Sequence, residues 1–438
     1  MSEANSHKNL LELVSSKVGV IRSLSPVARG AEEPNPPFLY QATLSHFDFR
    51  AAQPWQRGAA GTGVKESEAI DHAIGEAIEH YCASHFDRCR TKRGSWSTVT
   101  PDAVAPDQLV LYSSSQYSRA KFPYRRWNPN DEVTWLPFTE LPANRRILAP
   151  AGFAFVSFDE SRAEDYVCPP TSNGLAAGPS LKFAILHGLC ELIERDSFLI
   201  TWMNQLPAPK IEFSKGLKIA RTIQDHYSRF GVEIHVFNVS TDLPIYSMMG
   251  LAIDRTGRGP AAVVGLGCHL DPRIAITRAL FEVCQVRAGE VRRFQQEHPG
   301  DKLKSYHDVH TFEDHSAFFH PIERLQEFSF LLDSGRKQQL GELPSRSEND
   351  LDTDFEICVA LLRESGARVL FADLTTPDIA PYGLSVVRTL ASGLQPIHFG
   401  YGEERLGGRR LFETPKALGY ANCVRGESDL NPCPHPLA

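Results

Sequence analysis

The sequence predicts an α+β fold in which β-sheets are covered by long helices. Three observations carry that prediction. Three long segments place apolar residues at helical spacing and carry polar or acidic pairs on one face. Shorter stretches between them alternate and are rich in β-branched and aromatic residues, as strands are. A helix followed by a strand recurs, at Lys218 to Asp254 and at Phe355 to Arg388, which points to an internal helix–strand duplication.

In chain order, Leu10, Leu11, Leu13 and Val14 suggest a short helix, and Val18 to Leu24 a strand. Glu32 to Pro37 is a proline-rich turn, and Phe38 to Phe49 alternates as a strand. Gly58 to Gly63 is expected to be a glycine-rich turn whose backbone amides suit phosphate. It opens the first long helix, with Ile70, Ile74, Ile78 and Tyr81 as the apolar stripe. Gln108 to Tyr112 and Val133 to Phe138 read as strands, and Thr171 to Gly178 as a loop of small residues. Ser180 is placed to cap the second long helix, with Leu181, Ile185, Leu189 and Leu192 at helical spacing. The third long helix runs from about Ile274 to Phe294. In the two repeated units a helix ends at Gly231 or Gly366 and a strand follows. Asn238 then aligns with Asp373, Ser240 with Thr375, and Asp242 with Asp378 after one inserted residue.

The helices carry the chemistry. Glu76 and Glu79 sit three apart on the first, and Glu191 and Glu194 three apart on the second, with Arg195 and Asp196 following. On the third, Arg278, Glu282 and Gln285 share a face, while Arg287 lies off it. One such pair alone would read as a solvated surface with an intrahelical ion pair. Four or five carboxylates brought to one place repel each other and call for hard divalent cations, and Mg²⁺ prefers carboxylate and phosphate oxygens. The interspersed arginines suit a polyphosphate. The set therefore reads as a Mg-nucleotide site, and it is not a P-loop, since G-x-x-x-x-G-K-[ST] is absent.

These stretches also resemble the YcaO family. The second helix matches S-x-x-x-A-x-x-x-G-x-x-E-x-x-E-R-D at Ser180, Ala184, Gly188, Glu191, Glu194, Arg195 and Asp196. The first is similar to that family's opening motif through Ala69, Ala73, Glu76, Ala77, Glu79 and Tyr81. The third resembles R-x-x-x-E-x-x-Q-x-R at Arg278, Glu282, Gln285 and Arg287. The chain ends Asn431-Pro-Cys-Pro-His-Pro-Leu-Ala438, and Pro432, Pro434 and Pro436 resemble the tail of the azoline-forming subgroup.

The resemblance implies a YcaO-type fold and an ATP-dependent peptide cyclodehydratase. Cys, Ser or Thr of a ribosomally made precursor peptide would become thiazoline or (methyl)oxazoline through phosphorylation of the backbone amide oxygen. ATP and Mg²⁺ are the implied cofactors. The metal ligands would be Glu76, Glu79, Glu191 and Glu194. The ATP-binding residues would be Lys65, Asn173, Ser180, Arg195, Arg278, Glu282, Gln285 and Arg287. The tail residues Pro432, Pro434, Pro436 and Ala438 would thread to the site, the terminal carboxylate acting as base. Three positions depart from the family pattern: Thr62 where Lys is usual, His72 for Ser, and His80 for Arg, with Lys65 placed to supply the missing charge. The alternatives are another YcaO backbone activation, thioamidation or amidine formation, and a degenerate scaffold subunit that performs no chemistry.

The resemblance divides the chain into a lead-in at 1–56, a catalytic domain at 57–420 and a proline-rich tail at 421–438. It implies a homodimer, and a discrete E1-like partner that recognises the peptide's leader. With 438 residues, 42% of them hydrophobic and 23% charged, the chain is long enough for a large core. A net charge of −7 and no basic block argue against nucleic acid and membrane surfaces. The polar N-terminus and nine widely spaced cysteines without a C-x-x-C suggest a cytoplasmic, reduced protein. Cys82/His85/Cys89 and the loop histidines His307, His310, His315 and His320 have metal-like spacing, but ordinary structure accounts for both sets more simply.

Overall fold

A computed structural model describes residues 10–45, 58–158, 165–212, 216–420 and 426–437. A three-stranded antiparallel sheet comprises β1 (Ile21–Pro26), β2 (Phe38–Leu44) and β3 (Gly58–Gly63). A second sheet has the order β4 (Lys92–Gly94), β5 (Val133–Leu141), β13 (Val369–Asp373), β14 (Ser385–Ala391), β7 (Leu175–Gly178), with β6 (Arg145–Pro150) also paired to β5. The third has the order β11 (Ala262–His269), β10 (Tyr246–Asp254), β9 (Val232–Asn238), β8 (Lys210–Glu212), β12 (Lys337–Gln339). The longer helices are α1 (Glu66–Ala83), α2 (Leu181–Met203), α3 (Lys218–Ser228), α4 (Pro272–Glu297), α5 (Phe312–Ala317), α6 (Leu351–Glu364) and α7 (Arg410–Ala417). The α+β prediction holds, with each sheet covered by helices.

Burial explains the helix compositions. α1 buries Ala69, Ala73, Ile74, Ala77 and Ile78 against β3 and β2. α2 packs on β14 and β7 from one side and reaches β11 and β10 from the other, so from Ala184 to Met203 it is buried almost all round. Ser180 caps α2, its Oγ accepting the Phe183 N–H at 3.3 Å. α4 lies along β11 and β10, with Asp271 as its cap.

Two glycines permit the closest strand–helix approaches. A Cβ on Gly61 would lie 2.2 Å from the Ala73 nitrogen, and one on Gly267 would lie 2.2 Å from the Ala275 carbonyl oxygen. Gly58 to Gly63 is therefore strand β3 packed on α1, not the free phosphate-binding turn expected. Gly267→Ala is expected to cost roughly 1–3 kcal/mol of unfolding free energy by forcing α4 off β11. Urea denaturation measures it, and an unchanged midpoint would contradict the packing.

Other boundaries also moved. Leu175 to Gly178 pairs with β14 as strand β7, so only the first half of the small-residue loop is loop. Gln108 to Tyr112 is not a strand: Pro106 starts a short 3₁₀ turn ending at Leu109, and Val110 follows with φ +56°. The two expected helix–strand units share local structure. Ser240 N–H donates to Asn238 Oδ1 at 3.1 Å, as Thr375 N–H does to Asp373 Oδ1 at 2.9 Å. Ser247 N–H donates to Ser240 Oγ and Val386 N–H to Thr375 Oγ1, both at 2.9 Å. The aligned acids diverge: Asp242 binds Arg410, whereas Asp378 accepts the Tyr81 hydroxyl.

Candidate active site

α1, α2 and α4 bring Glu76, Glu79, Glu191, Arg195, Glu282 and Gln285 to the wall of one cavity of about 1190 Å³. Glu194 lies beside it, buried, with Arg195 Nη1 at 3.0 Å. Before each helix a strand, or the loop residue leading into one, fixes a carboxylate through a backbone amide. Ala60 N–H donates to Glu76 Oε2 at 3.0 Å, Gly174 N–H to Glu191 Oε2 at 3.2 Å, and Leu266 N–H to Glu282 Oε2 at 2.7 Å. An Ala177 amide bond holds Glu79 in the same way. The close approaches at Gly61 and Gly267 bring the strand amides within reach of the helix carboxylates.

The site carries surplus buried negative charge. Burial pushes Glu76 up to about 7; the Ala60 amide offsets part of this, and Glu282 and Glu191 add repulsion. Burial likewise takes Glu194 up to about 8 against the pull of Arg195. Burial and the neighbouring Glu191 raise Glu79 well above the usual carboxylate range. Burial opposes the charge on Arg195, but Glu194, Glu282 and Glu191 hold it protonated. Among the described residues no three His, Cys, Asp or Glu side chains form a ready-made cage for one ion. The oxygen-only donor set and its excess charge nevertheless fit hard divalent cations whose remaining ligands come from phosphate.

A pH dependence follows. A carboxyl whose pKa is raised on folding binds its proton more tightly in the folded state, so its stabilising effect is complete below about 4.5 and lost as pH rises through the folded value. The metal-free protein should therefore lose stability as pH rises from about 4.5 towards 8. Mg-nucleotide should bind more tightly over the upper part of that window and release protons. Calorimetry in buffers of different ionisation enthalpy measures the release, and a buffer-independent heat would contradict it.

The structure does not bring every expected residue to this wall. Lys65 is exposed beside Glu68 at 3.8 Å and does not line the cavity. Ser180 is spent on capping α2. Arg278 stands close enough to Glu194 to act on its charge, but Nη1 donates to the Cys268 carbonyl at 3.0 Å and Nη2 meets His187. Arg287 is a correction. Two residues past Gln285 it points about 200° round the helix, into a buried ion pair with Glu33 and with Asp254 at 3.2 Å, over the Tyr227 ring. Asn173 is buried beside the cavity: its carbonyl accepts Arg388 Nη1 at 2.6 Å, and its Oδ1 has no partner among the described residues. Two departures from the family motifs touch each other, since the His72 ring nitrogen Nδ1 lies 2.6 Å from the Thr62 carbonyl. His80 lines the cavity.

Sequence reasoning missed Arg388. It is buried, donates to the carbonyls of Ala154, Asn173 and Thr171, and acts on Glu191 and Glu79. Burial drives its pKa down to about 10, against those carboxylates. The only sequence signal was an arginine inside an apolar strand. Asp196, matched as a motif residue, is fully buried and bridges Arg410 to the Gln395 amide. Among the described residues the loop histidines do not come together in a group that could hold a metal. His320 instead meets Glu290 at 2.6 Å. Cys82 is buried against Thr376, whereas Cys89 is exposed, so the weighed zinc trio is not assembled.

The tail reaches the same cavity. Pro432 is exposed, but Cys433, Pro434, His435, Pro436 and Leu437 are buried, and Leu437 lines the cavity. The C-terminal half of α2 is its floor. Asn431 N–H donates to the Met203 carbonyl at 2.7 Å, and Trp202 Nε1–H to the Cys433 carbonyl at 3.0 Å. Ala438 lies outside the described residues.

Comparison with known proteins agrees with this geometry. The family model described as YcaO cyclodehydratase, ATP- and Mg²⁺-binding, matches residues 60–395. An uncharacterised protein of Methanothermobacter thermautotrophicus is 28% identical over 358 residues, 80% of this chain and 84% of its own length. The solved structure of a heterocyclase in complex with substrate and cofactor superposes with a TM-score of 0.83 at 26% identity. It covers 100% of this chain, which spans only 58% of the heterocyclase's length. The E. coli microcin synthetase McbBCD complex shares the fold, with a TM-score of 0.59 at 17% identity over 86% of this chain and 88% of that one. No helix among the described residues is long and apolar enough to cross a membrane. With the match spanning all three acidic helices, the chain belongs to the YcaO family, whose members bind ATP and Mg²⁺.

Proposed function

We propose that this chain is an ATP-dependent peptide cyclodehydratase that forms thiazoline or (methyl)oxazoline rings from Cys, Ser or Thr of a ribosomally made precursor. The observation that carries the reading is the buried tail, which puts Leu437 on the wall of the cavity that holds the carboxylates. That cavity, about 1190 Å³, has room for a nucleotide and a peptide segment together.

In this reading the side-chain oxygen or sulfur of the substrate attacks the preceding carbonyl carbon. The resulting oxyanion takes the γ-phosphoryl group of ATP. The C–O bond then breaks with phosphate as leaving group, while the protons of the nucleophile and of the amide nitrogen are lost and a C=N bond remains. Phosphorylation turns a poor leaving group into a good one, so the protein's task is positioning and charge stabilisation. Mg²⁺ held by Glu76, Glu79, Glu191 and Glu194 would neutralise charge developing on the phosphate oxygens. Glu282 holds the β11 edge beside Arg195, and Arg195 and Gln285 face the phosphates and ribose. Arg388 fixes the 171–174 loop, and with it Asn173, from behind.

We further assign a discrete leader-recognition partner, a homodimeric assembly and a cytoplasmic setting to this protein. The support is the family resemblance and, for the partner, the multi-protein nature of the microcin synthetase. The test is the intact mass of a candidate precursor peptide incubated with the chain, its partner and Mg-ATP. Loss of one water per ring, located by fragmentation at a Cys, Ser or Thr, supports the reading, whereas the same loss at an amine nucleophile would replace it with amidine formation. Exchange of oxygen for sulfur would replace it with thioamidation. No mass change together with no ATP hydrolysis would leave a scaffold subunit.

A further inference from the structure

We propose that His315 is a positioning residue that clasps the C-terminal tail into the wall of the cavity. His315 is fully buried on α5. Its Nδ1 lies 2.8 Å from the His435 carbonyl of the tail, and its Nε2 3.0 Å from the Gly400 amide. A carbonyl only accepts and an amide N–H only donates. The ring is therefore neutral, with its proton on Nδ1, and one side chain ties two backbones together. Its ring also stacks on that of His435, centroids 4.1 Å apart. His435 in turn uses Nε2, 2.6 Å from the His398 carbonyl, which puts its proton on that nitrogen. Burial keeps all three histidines below the usual imidazole range.

Each piece joined by this ring carries cavity wall. Thr311, Phe312 and Glu313 precede His315, Phe399 precedes Gly400, and Leu437 follows His435. Among the described residues, the hydrogen bonds that hold Glu76, Glu191 and Glu282 come from the Ala60, Gly174 and Leu266 amides, not from α5, the 397–403 loop or the tail. His315 therefore sets the tail without setting the carboxylates. Only the kinetic arm below rests on the proposed reaction; the clasp stands on the hydrogen bonds alone.

Two substitutions separate its two bonds. In His315→Asn the amide reaches the position of Nδ1 and can keep the His435 carbonyl. In His315→Gln it reaches the position of Nε2 and keeps Gly400 while the tail loses its donor. The reporter is Cys433, buried in the tail, alkylated by a maleimide and quantified by peptide mapping. Exposed Cys89 and buried Cys284 are the internal references. Cys433 labelling at least about tenfold faster in His315→Gln than in the wild type or His315→Asn is expected. In the same variant kcat for Mg-ATP hydrolysis should fall about tenfold, with KM for Mg-ATP within about threefold. Equal Cys433 labelling in all three proteins overturns the clasp. Faster labelling with unchanged kcat, or with kcat and KM moving together, overturns the positioning role. Should the wild-type chain with its partner and precursor peptide hydrolyse no ATP, the cyclodehydratase reading falls, and Cys433 labelling still decides the clasp.

Discussion

Glu191→Gln is expected to lower ATP-dependent peptide conversion by roughly 10²–10³-fold without unfolding the protein. Glutamine keeps an oxygen for the Gly174 amide, now 3.2 Å from Oε2, so the link between α2 and the 171–174 loop survives. What is lost is a hard anionic donor in a buried cluster. Burial already raises the pKa of Glu191, with Arg195 opposing it and Glu282 adding repulsion. Removing that charge relieves the metal-free protein, so its Tm should hold or rise. The stabilisation that Mg-ATP adds should shrink in the variant. Thermal unfolding with and without Mg-ATP, beside the mass assay, separates the two effects. Full activity in Glu191→Gln would remove this carboxylate from the metal set.

Ending the chain after Cys433 is expected to cost at least about 10² in kcat, because small misplacements of a site wall cost that much. The truncation removes Pro434, His435, Pro436 and Leu437, all buried, and with them the stacking of His435 on His315 and the Leu437 contact with the cavity. α2 keeps its hydrogen bonds to the tail, since the Trp202 and Met203 contacts to Cys433 and Asn431 remain, and loses the edge contact of His435 with Phe198. The acidic wall is untouched. Mg-nucleotide binding by calorimetry should therefore stay close to that of the full chain while turnover falls. Loss of binding and turnover together would make the tail a general structural brace instead.

Much of the site could be read from residue order because helical spacing is local geometry. Glu76 with Glu79, Glu191 with Glu194, and Glu282 with Gln285 had to share faces once their segments were helices. The apolar stripes fixed which faces turn inward, and Ser180 marked where α2 begins. The acidic pairs sufficed to point to nucleotide chemistry, and the resemblance of the C-terminal prolines to the azoline-forming subgroup implied a tail beside it.

Tertiary structure decided what spacing leaves open. Spacing already turns Arg287 away from Gln285, but the partner it meets there, Glu33, arrives from the far N-terminal part of the chain. Gly58 to Gly63 looks like a turn by composition, but its glycines serve close packing of a strand on α1. Arg388 and His315 carry no local signature. The first matters because three carbonyls and two carboxylates from distant segments surround it. The second matters because the His435 carbonyl and the Gly400 amide meet across its ring. By itself the sequence determined the long helices, the acidic faces and the family. Only folding decided which cations those faces meet and what holds the tail, because contacts between residues hundreds of positions apart are set by packing, not by periodicity.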